Sequence, residues 1–235
     1  MAYTIHEFAS LPSTNAYVKE NAAMFSHGEV VVAKTQTNGR GRLDRQWISE
    51  EGGLYFTVFL KPSKKIFLPN MTQLLCLAIC RAMEGAGVRA ELKWPNDVMV
   101  KGAKIAGILG ETVLEDYKVL GLALGAGINC NQEALRVPGR RATTLAREGV
   151  VVSERRFLET ILRHFHAVYD RVSEGGFSVI QREYIQRLTM LGDEICVETG
   201  SEKLSGTFLR VNRAGRLILG LQDSSVREIS IGDMK

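Results

Sequence analysis

Residues 88–129 contain three apolar segments in succession, separated only by residues that favour turns. The segments are rich in valine, isoleucine and leucine, a composition typical of buried strands. Pro95–Asn96 lies at the first turn, and Lys101–Gly102 interrupts the second segment. The sequence therefore predicts consecutive strands over 88–94, 97–114 and 117–129.

Helices alternate with strands in the rest of the first 188 residues. The clearest helix covers 69–86, where apolar side chains recur with the helical period and glycines follow. Ser13, Thr14 and Asn15 are candidate N-caps of a helix that reaches about Phe25. The patterns also predict helices over 153–173 and 178–188, and strands over 3–8, 29–35 and 52–62.

The character of the sequence changes at Leu191. Short strand-like segments follow, separated by glycine, asparagine and aspartate, as is typical of a small all-β barrel. We therefore expect two domains, over 1–189 and 190–235.

Composition excludes several classes of protein. The chain of 235 residues is 45% apolar and 24% charged, as an ordinary globular protein is. Its net charge of +4 suits a phosphate ligand but is too small to indicate nucleic acid. No apolar run approaches the roughly 18 residues of a membrane span, and the N-terminus does not have the layout of a signal peptide. We expect a cytoplasmic protein whose four cysteines are free thiols.

The connection "KTQTNGRGRLDRQW", residues 34–47, joins two predicted strands and is too long and polar for a tight hairpin turn. Its glycines allow the backbone to approach a ligand closely. Arg40, Arg42 and Arg45 carry planar, charged groups that suit phosphate or carboxylate. A solvated surface loop explains the same composition equally well.

Three other segments allow both a structural and a functional interpretation. Lys104 begins an apolar strand, either as an edge residue that reaches water or as an ammonium directed at a carboxylate. Gly107 and Gly110 on that strand leave room for a flat ligand. "PSTNA" (12–16) is a helix cap or a row of groups that hydrogen-bond a polar ring. "GAGIN" (125–129) is a glycine-rich strand end or a place where the backbone meets a nucleotide.

These segments occur in the order S-T-N, Q-T-x-G-R-G-R-x-x-R-x-W, K-W-P-N-D, K-x-A-G-I-L-x-E and G-x-G-I-N. Together they resemble the biotin–protein ligase (biotin–[acetyl-CoA-carboxylase] ligase) family. The resemblance implies an α/β (α+β) fold, with a mixed-sheet catalytic domain of the biotin/lipoate ligase type and a small C-terminal SH3-like β-barrel. Because S-T-N begins at residue 13, we expect a short form without the N-terminal winged helix and without a repressor role.

The resemblance also implies two groups of ligand-binding residues. It places biotin against Ser13, Thr14, Asn15, Gln36, Arg40, Gly41, Arg42, Lys104 and Gly107. It places ATP and the adenylate against Arg42, Arg45, Trp47, Lys93, Asn96, Asp97 and Asn129. Lys104, Arg42 and Arg40 are the implied catalytic residues, and Mg²⁺ arrives with ATP, near Asp97, without a metal-binding motif of its own. The common family form has a glycine where this chain has Asp44.

The implied reaction has two steps. ATP converts biotin to biotinyl-5′-AMP, and a specific lysine of a biotin carboxyl carrier protein then takes the biotin. Because a dozen polar residues are costly to order, we expect the connection at 34–47 to be mobile without ligand and to close over the adenylate. A homodimer is compatible with the family. The alternatives are a lipoate–protein ligase-like acyl transferase and a nucleic-acid-binding module.

Overall fold

The computed structural model describes residues 4–43, 45–61, 68–116, 118–133, 139, 141–200 and 202–234. A seven-stranded mixed sheet has the order β1-β2-β3-β7-β6-β5-β4. Only β1 and β2 are parallel within it; the other neighbours are antiparallel. Its strands are β1 (Ile5–Leu11), β2 (Val30–Gln36), β3 (Leu54–Leu60), β4 (Glu91–Lys93), β5 (Asp97–Val100), β6 (Ala103–Glu115) and β7 (Lys118–Ile128).

Helices cover both faces of this sheet. The helices are α1 (Thr14–Glu20), α2 (Leu68–Gly85), α3 (Glu154–Gly175) and α4 (Gln181–Gln186), with 3-10 turns at Ala22–Met24 and Gly176–Val179. Every residue of β3 is buried, and alternate side chains, from Leu54 to Leu60, belong to the larger of two apolar clusters. Phe56 and Val58 join α2 and α3 in the larger cluster, whereas Phe59 packs with Val18 of α1 in the smaller one.

The predicted elements are present, with changes at their ends. Of the three candidate caps, Ser13 is the N-cap of α1, and its hydroxyl accepts from the Ala16 amide. That helix ends at Glu20 rather than near Phe25, because a separate 3-10 turn follows it. Lys101 and Gly102 have positive φ angles of 49° and 74°, which close the turn between β5 and β6.

Two predicted elements are shorter than expected. The strand predicted over 88–94 is reduced to β4, and the helix predicted over 178–188 is the short α4 preceded by a 3-10 turn. The segments 62–67 and 134–138, together with Asp44, lie outside the described residues. The four cysteines are free, as predicted, and three of them are buried. No helix in the described ranges is long and apolar enough to cross a membrane.

Beyond residue 190, five antiparallel strands form a second sheet with the order β11-β10-β9-β8-β12. A turn of this sheet rests on α2, where Gln73 Nε2 donates to the Gly215 carbonyl at 2.7 Å and Asn70 Nδ2 donates to that of Ala214 at 3.0 Å. Trp94 Nε1 also donates to Gly215, at 3.1 Å. Hydrogen bonds therefore attach the second sheet to α2 and to Trp94 of the K-W-P-N-D segment. Its strands are β8 (Glu194–Glu198), β9 (Lys203–Val211), β10 (Leu217–Gly220), β11 (Val226–Ile229) and β12 (Asp233–Met234).

Candidate active site

A cavity of about 370 Å³ opens where the first turn of α1, the connection after β2, the strands β6 and β7, and the start of β12 meet. It brings together most of the residues that the sequence singled out. These are Ser13, Thr14, Asn15, Gln36, Arg40, Gly41, Arg42, Arg45, Trp47, Asn96, Asp97, Lys104, Gly107 and Asn129. Two residues are exceptions: Lys93, which belongs to β4 at the edge of the sheet, and Gly110 of β6, neither of which lines the cavity.

One end of the cavity, which we call the neutral half, is formed by Ser13, Thr14, Asn15 and Gln36. Gln36 Oε1 accepts from the Thr14 amide at 2.8 Å, and Gln36 Nε2 donates to Ser49 Oγ at 2.9 Å. Three of the four residues are buried, since only Gln36 is partly exposed. The side chains in this half are therefore held in place by bonds within the protein.

Asn15 has the most extensive hydrogen bonding in the neutral half. Its Nδ2 donates to the Leu109 carbonyl at 3.0 Å and to Glu111 Oε2 at 2.9 Å. Thr57 Oγ1 lies 2.6 Å from Asn15 Oδ1. A Cβ at Gly125 would collide with that oxygen, so the glycine of "GAGIN" is needed where the side chain crosses β7.

The other end, which we call the charged half, is formed by Arg42, Arg45, Asp97, Lys104 and Asp233. Lys104 Nζ lies 2.6 Å from Asp97 Oδ1. Arg45 forms an ion pair with Asp233, and Arg42 Nη1 lies 3.9 Å from the same carboxylate. Each cation of this half therefore faces a carboxylate that also lines the cavity.

Arg42 connects three parts of the chain. It donates to Asn96 Oδ1 at 2.9 Å and to the Gly232 carbonyl at 3.2 Å. Burial lowers the pKa of its guanidinium below the ordinary value, while the carboxylates of Asp233 and Asp97 oppose that shift. An arginine remains charged under all physiological conditions, so Arg42 is a half-buried fixed cation.

Trp47 covers the glycines of the sheet. A Cβ at Gly127 would overlap its indole, and a Cβ at Gly107 would also be close to it. The indole lies beneath Lys104 Nζ, which is 5.3 Å from the ring centroid. The buried indole N–H finds no acceptor among the described residues. A flat ring therefore fits against Gly107, where the sequence predicts room for a flat ligand, and here that ring is the indole of Trp47.

Asn129 is buried at the end of β7, and its Nδ2 donates to the Thr143 carbonyl at 3.1 Å. The Thr143 amide in turn donates to the Lys104 carbonyl at 3.0 Å. The amide group of Asn129 therefore supports the backbone that carries Lys104.

Several lining residues were not predicted, and Asp233 is the most important of them. It belongs to the second sheet, and no local pattern links it to the arginine-rich connection. Gly125 and Gly127 belong to the segment "GAGIN", in which the resemblance implies a ligand contact only for Asn129. The described part of the lining carries five cations and two carboxylates, so an anionic ligand is favoured. The other lining residues are Gln46, Ile48, Ile108, Leu109, Ala126, Arg141 and Ala142.

Comparisons with known proteins show the family to which the chain belongs. The family model described as the Biotin/lipoate A/B protein ligase family matches residues 7–129. A biotin–[acetyl-CoA-carboxylase] ligase of Paracoccus denitrificans is 30% identical over 90% of this chain and 92% of its own length. A bifunctional ligase/repressor BirA of Bacillus spizizenii is 31% identical over 88% of this chain, which spans only 66% of that protein.

Solved structures show the same fold. A biotin protein ligase from Aquifex aeolicus, in complex with biotin and ATP, superposes with a TM-score of 0.88 at 30% identity. The match covers 99% of this chain and 97% of the other. The chain therefore belongs to the biotin/lipoate A/B protein ligase family, and within it to the biotin–protein ligases.

Proposed function

We propose that this chain activates biotin with ATP to form biotinyl-5′-AMP and then transfers the biotin to a lysine of a biotin carboxyl carrier protein. The observation that carries the proposal is the division of one cavity into a neutral polar half and a cationic half. Biotin has a neutral ureido ring at one end and a carboxylate at the other. Its two ends match the two halves, and ATP adds the second anion that the charged half requires.

The neutral half would recognise the ureido ring. Ser13, Thr14, Asn15 and Gln36 offer hydroxyl and amide groups at fixed positions. A site built to satisfy polar groups on a ligand discriminates strongly against ligands without them. Gly107 would lie against the bicyclic ring, while Arg40 and Gly41 would cover it from the connection.

The first step joins two anions. A biotin carboxylate oxygen attacks the α-phosphorus of ATP, the bond to the β-phosphate oxygen breaks, and pyrophosphate leaves. Lys104, Arg42 and Arg40 would hold the carboxylate and the phosphate together and stabilise the charge that develops between them. Lys104 would exchange its ion pair with Asp97 for one with the biotin carboxylate.

The nucleotide would contact Arg45, Trp47, Asn96, Asp97 and Asn129. Magnesium keeps several waters and binds through one or two carboxylates and the phosphates of its substrate. Asp97 lines the cavity and suits such a site, whereas the described residues contain no cluster of three metal-ligating side chains. The ion bound with ATP would supply further neutralisation of the phosphates.

The second step needs no nucleophile from the enzyme. The ε-amine of the carrier lysine attacks the acyl carbon of the mixed anhydride, and AMP leaves with the bonding electrons. The described lining contains no cysteine or histidine, which is consistent with direct transfer. We propose that the connection closes over the adenylate until the carrier docks. We also propose that the protein is cytoplasmic. We propose in addition that it forms a homodimer, which light scattering would test.

The decisive experiment supplies the purified chain with Mg·ATP and biotin and detects the product by mass spectrometry. We expect biotinyl-5′-AMP and pyrophosphate, and biotinylated carrier domain once a carrier is added. A parallel reaction with lipoate tests the nearest alternative. Lipoyl-AMP without biotinyl-AMP would contradict the proposal.

A further inference from the structure

Glu111 is the last residue of the K-x-A-G-I-L-x-E segment, and nothing in the proposed mechanism uses it. It lies on β6, outside the lining of the cavity, with a side chain that is 19% exposed. Its Oε2 accepts from Asn15 Nδ2 at 2.9 Å, and its Oε1 pairs with Lys19 Nζ at 2.7 Å. Both oxygens of the carboxylate therefore contact α1, the helix whose first turn lines the neutral half.

These contacts determine which way the Asn15 amide faces. An asparagine amide has two N–H donors and one oxygen with two lone pairs. The Leu109 carbonyl and the Glu111 carboxylate can only accept, so both donors of Asn15 must point towards β6. The oxygen must then point towards Thr57 and Gly125.

One accepting position of that oxygen remains. The Thr57 hydroxyl donates to Asn15 Oδ1 at 2.6 Å and uses one lone pair. Asn15 and Gly125 both line the cavity, so the second lone pair is available to a ligand that donates a hydrogen bond. The ureido ring of biotin carries such N–H donors.

We infer that Glu111 is a positioning residue for biotin recognition, because it holds the Asn15 amide with its oxygen towards the ureido N–H. This inference rests on the proposed function. Lys19 pairs with the carboxylate, so Glu111 is not left as an unpaired charge at its half-buried position. Burial alone would raise the pKa of Glu111, but hydrogen bonds from Lys19 and Asn15 hold that pKa below its ordinary value. The carboxylate therefore stays an acceptor at neutral pH.

The substitution Glu111→Gln tests the inference with almost no change in volume. Lys19 can only donate, so it would take the oxygen of the new amide and leave the NH₂ of that amide facing Asn15. Asn15 would then be driven to turn its oxygen away from the cavity. We expect the KM for biotin to rise about tenfold, which is about 1.4 kcal/mol. The KM for ATP and kcat at saturating biotin should stay within about twofold of wild type.

Glu148→Gln is the matched control. Glu148 also accepts from one lysine and one neutral donor, Lys101 and Thr143, but neither of these donors lines the cavity, whereas Asn15 does. Its biotin KM should not change.

A second variant, Glu111→Gln with Lys19→Met, removes the competing donor and lets the oxygen of the introduced glutamine face Asn15 again. Its biotin KM should return to within about threefold of wild type.

Three results would overturn the inference. The first is an unchanged biotin KM in Glu111→Gln. The second is a parallel rise in both KM values with a lower Tm, which indicates a merely structural residue. The third is a double variant as impaired as the single one. Wild-type enzyme that makes no biotinyl-AMP would instead reject the proposed function, and the inference with it, so the two failures are distinguishable.

Discussion

In the neutral half of the cavity, Asn15 is held by the Leu109 carbonyl and by Thr57 and Glu111, and the last two do not line the cavity. In the charged half, the cations pair with Asp97 and Asp233, which do line it. A neutral ring can therefore bind to Asn15 without breaking the bonds from Thr57 and Glu111 that hold that side chain in place. An anionic ligand, in contrast, has to displace the carboxylates that already form ion pairs with the cations.

This difference separates two ways of using electrostatics in one site. The neutral half is organised before the ligand arrives, so its hydrogen bonds favour specificity. The charged half exchanges one set of ion pairs for another, so only part of each new interaction contributes to affinity. Substitutions in the two halves should consequently give different patterns of kinetic change.

Lys104→Ala should be the most damaging change. Loss of one fixed donor to a developing charge commonly costs about 10²–10³-fold in rate. The variant should form adenylate slower by about that factor in a single-turnover experiment, because Arg42 and Arg45 face Asp233 rather than Asp97. Lys118→Ala is the control, since this lysine is exposed at the far end of the same pair of strands. Wild-type kinetics in Lys104→Ala would show that the charged half does not catalyse the first step.

Substitutions at two glycines of β7 should distinguish the two halves of the cavity most clearly. In Gly125→Ala the new Cβ would displace Asn15, and in Gly127→Ala it would displace Trp47. Losing the partner of a buried polar group costs roughly 1–3 kcal/mol, so the first variant should raise the biotin KM about tenfold. The second should raise the ATP KM instead. Steady-state kinetics with each substrate varied would measure both, and identical profiles would refute the division into halves.

Asp233→Asn should have the mildest consequence. The carboxylate competes with phosphate for Arg42 and Arg45, and a partly exposed ion pair contributes up to about 1 kcal/mol. Removing the charge should lower the ATP KM by at most about fivefold and leave the biotin KM unchanged. Asp193→Asn, at an exposed position just before β8, is the control for the loss of one negative charge. A higher ATP KM would mean that Asp233 orients the arginines rather than competes for them.

Local structure was predictable from the sequence where it depends on residues that are neighbours in the chain. The cap at Ser13 and the turn at Lys101–Gly102 follow from preferences that act over a few residues. The helix predicted to reach Phe25 was wrong at its end, because packing of the 3-10 turn against the sheet decided it. Lys93 was assigned to the nucleotide with its segment, but an edge strand carries it outside the cavity.

Patterns in the chain were enough to indicate the family resemblance, the alternation of strands and helices, and 14 of the 24 residues that line the cavity. Short motifs could do this because each one fixes a cap, a turn or a strand end. The partner of each side chain, in contrast, depends on how distant segments pack together. Strand order places β7 between β3 and β6, and so brings Asn15 to Glu111 across the sheet. The second sheet brings Asp233 to Arg45, and no local preference encodes a contact between residues so far apart in the chain.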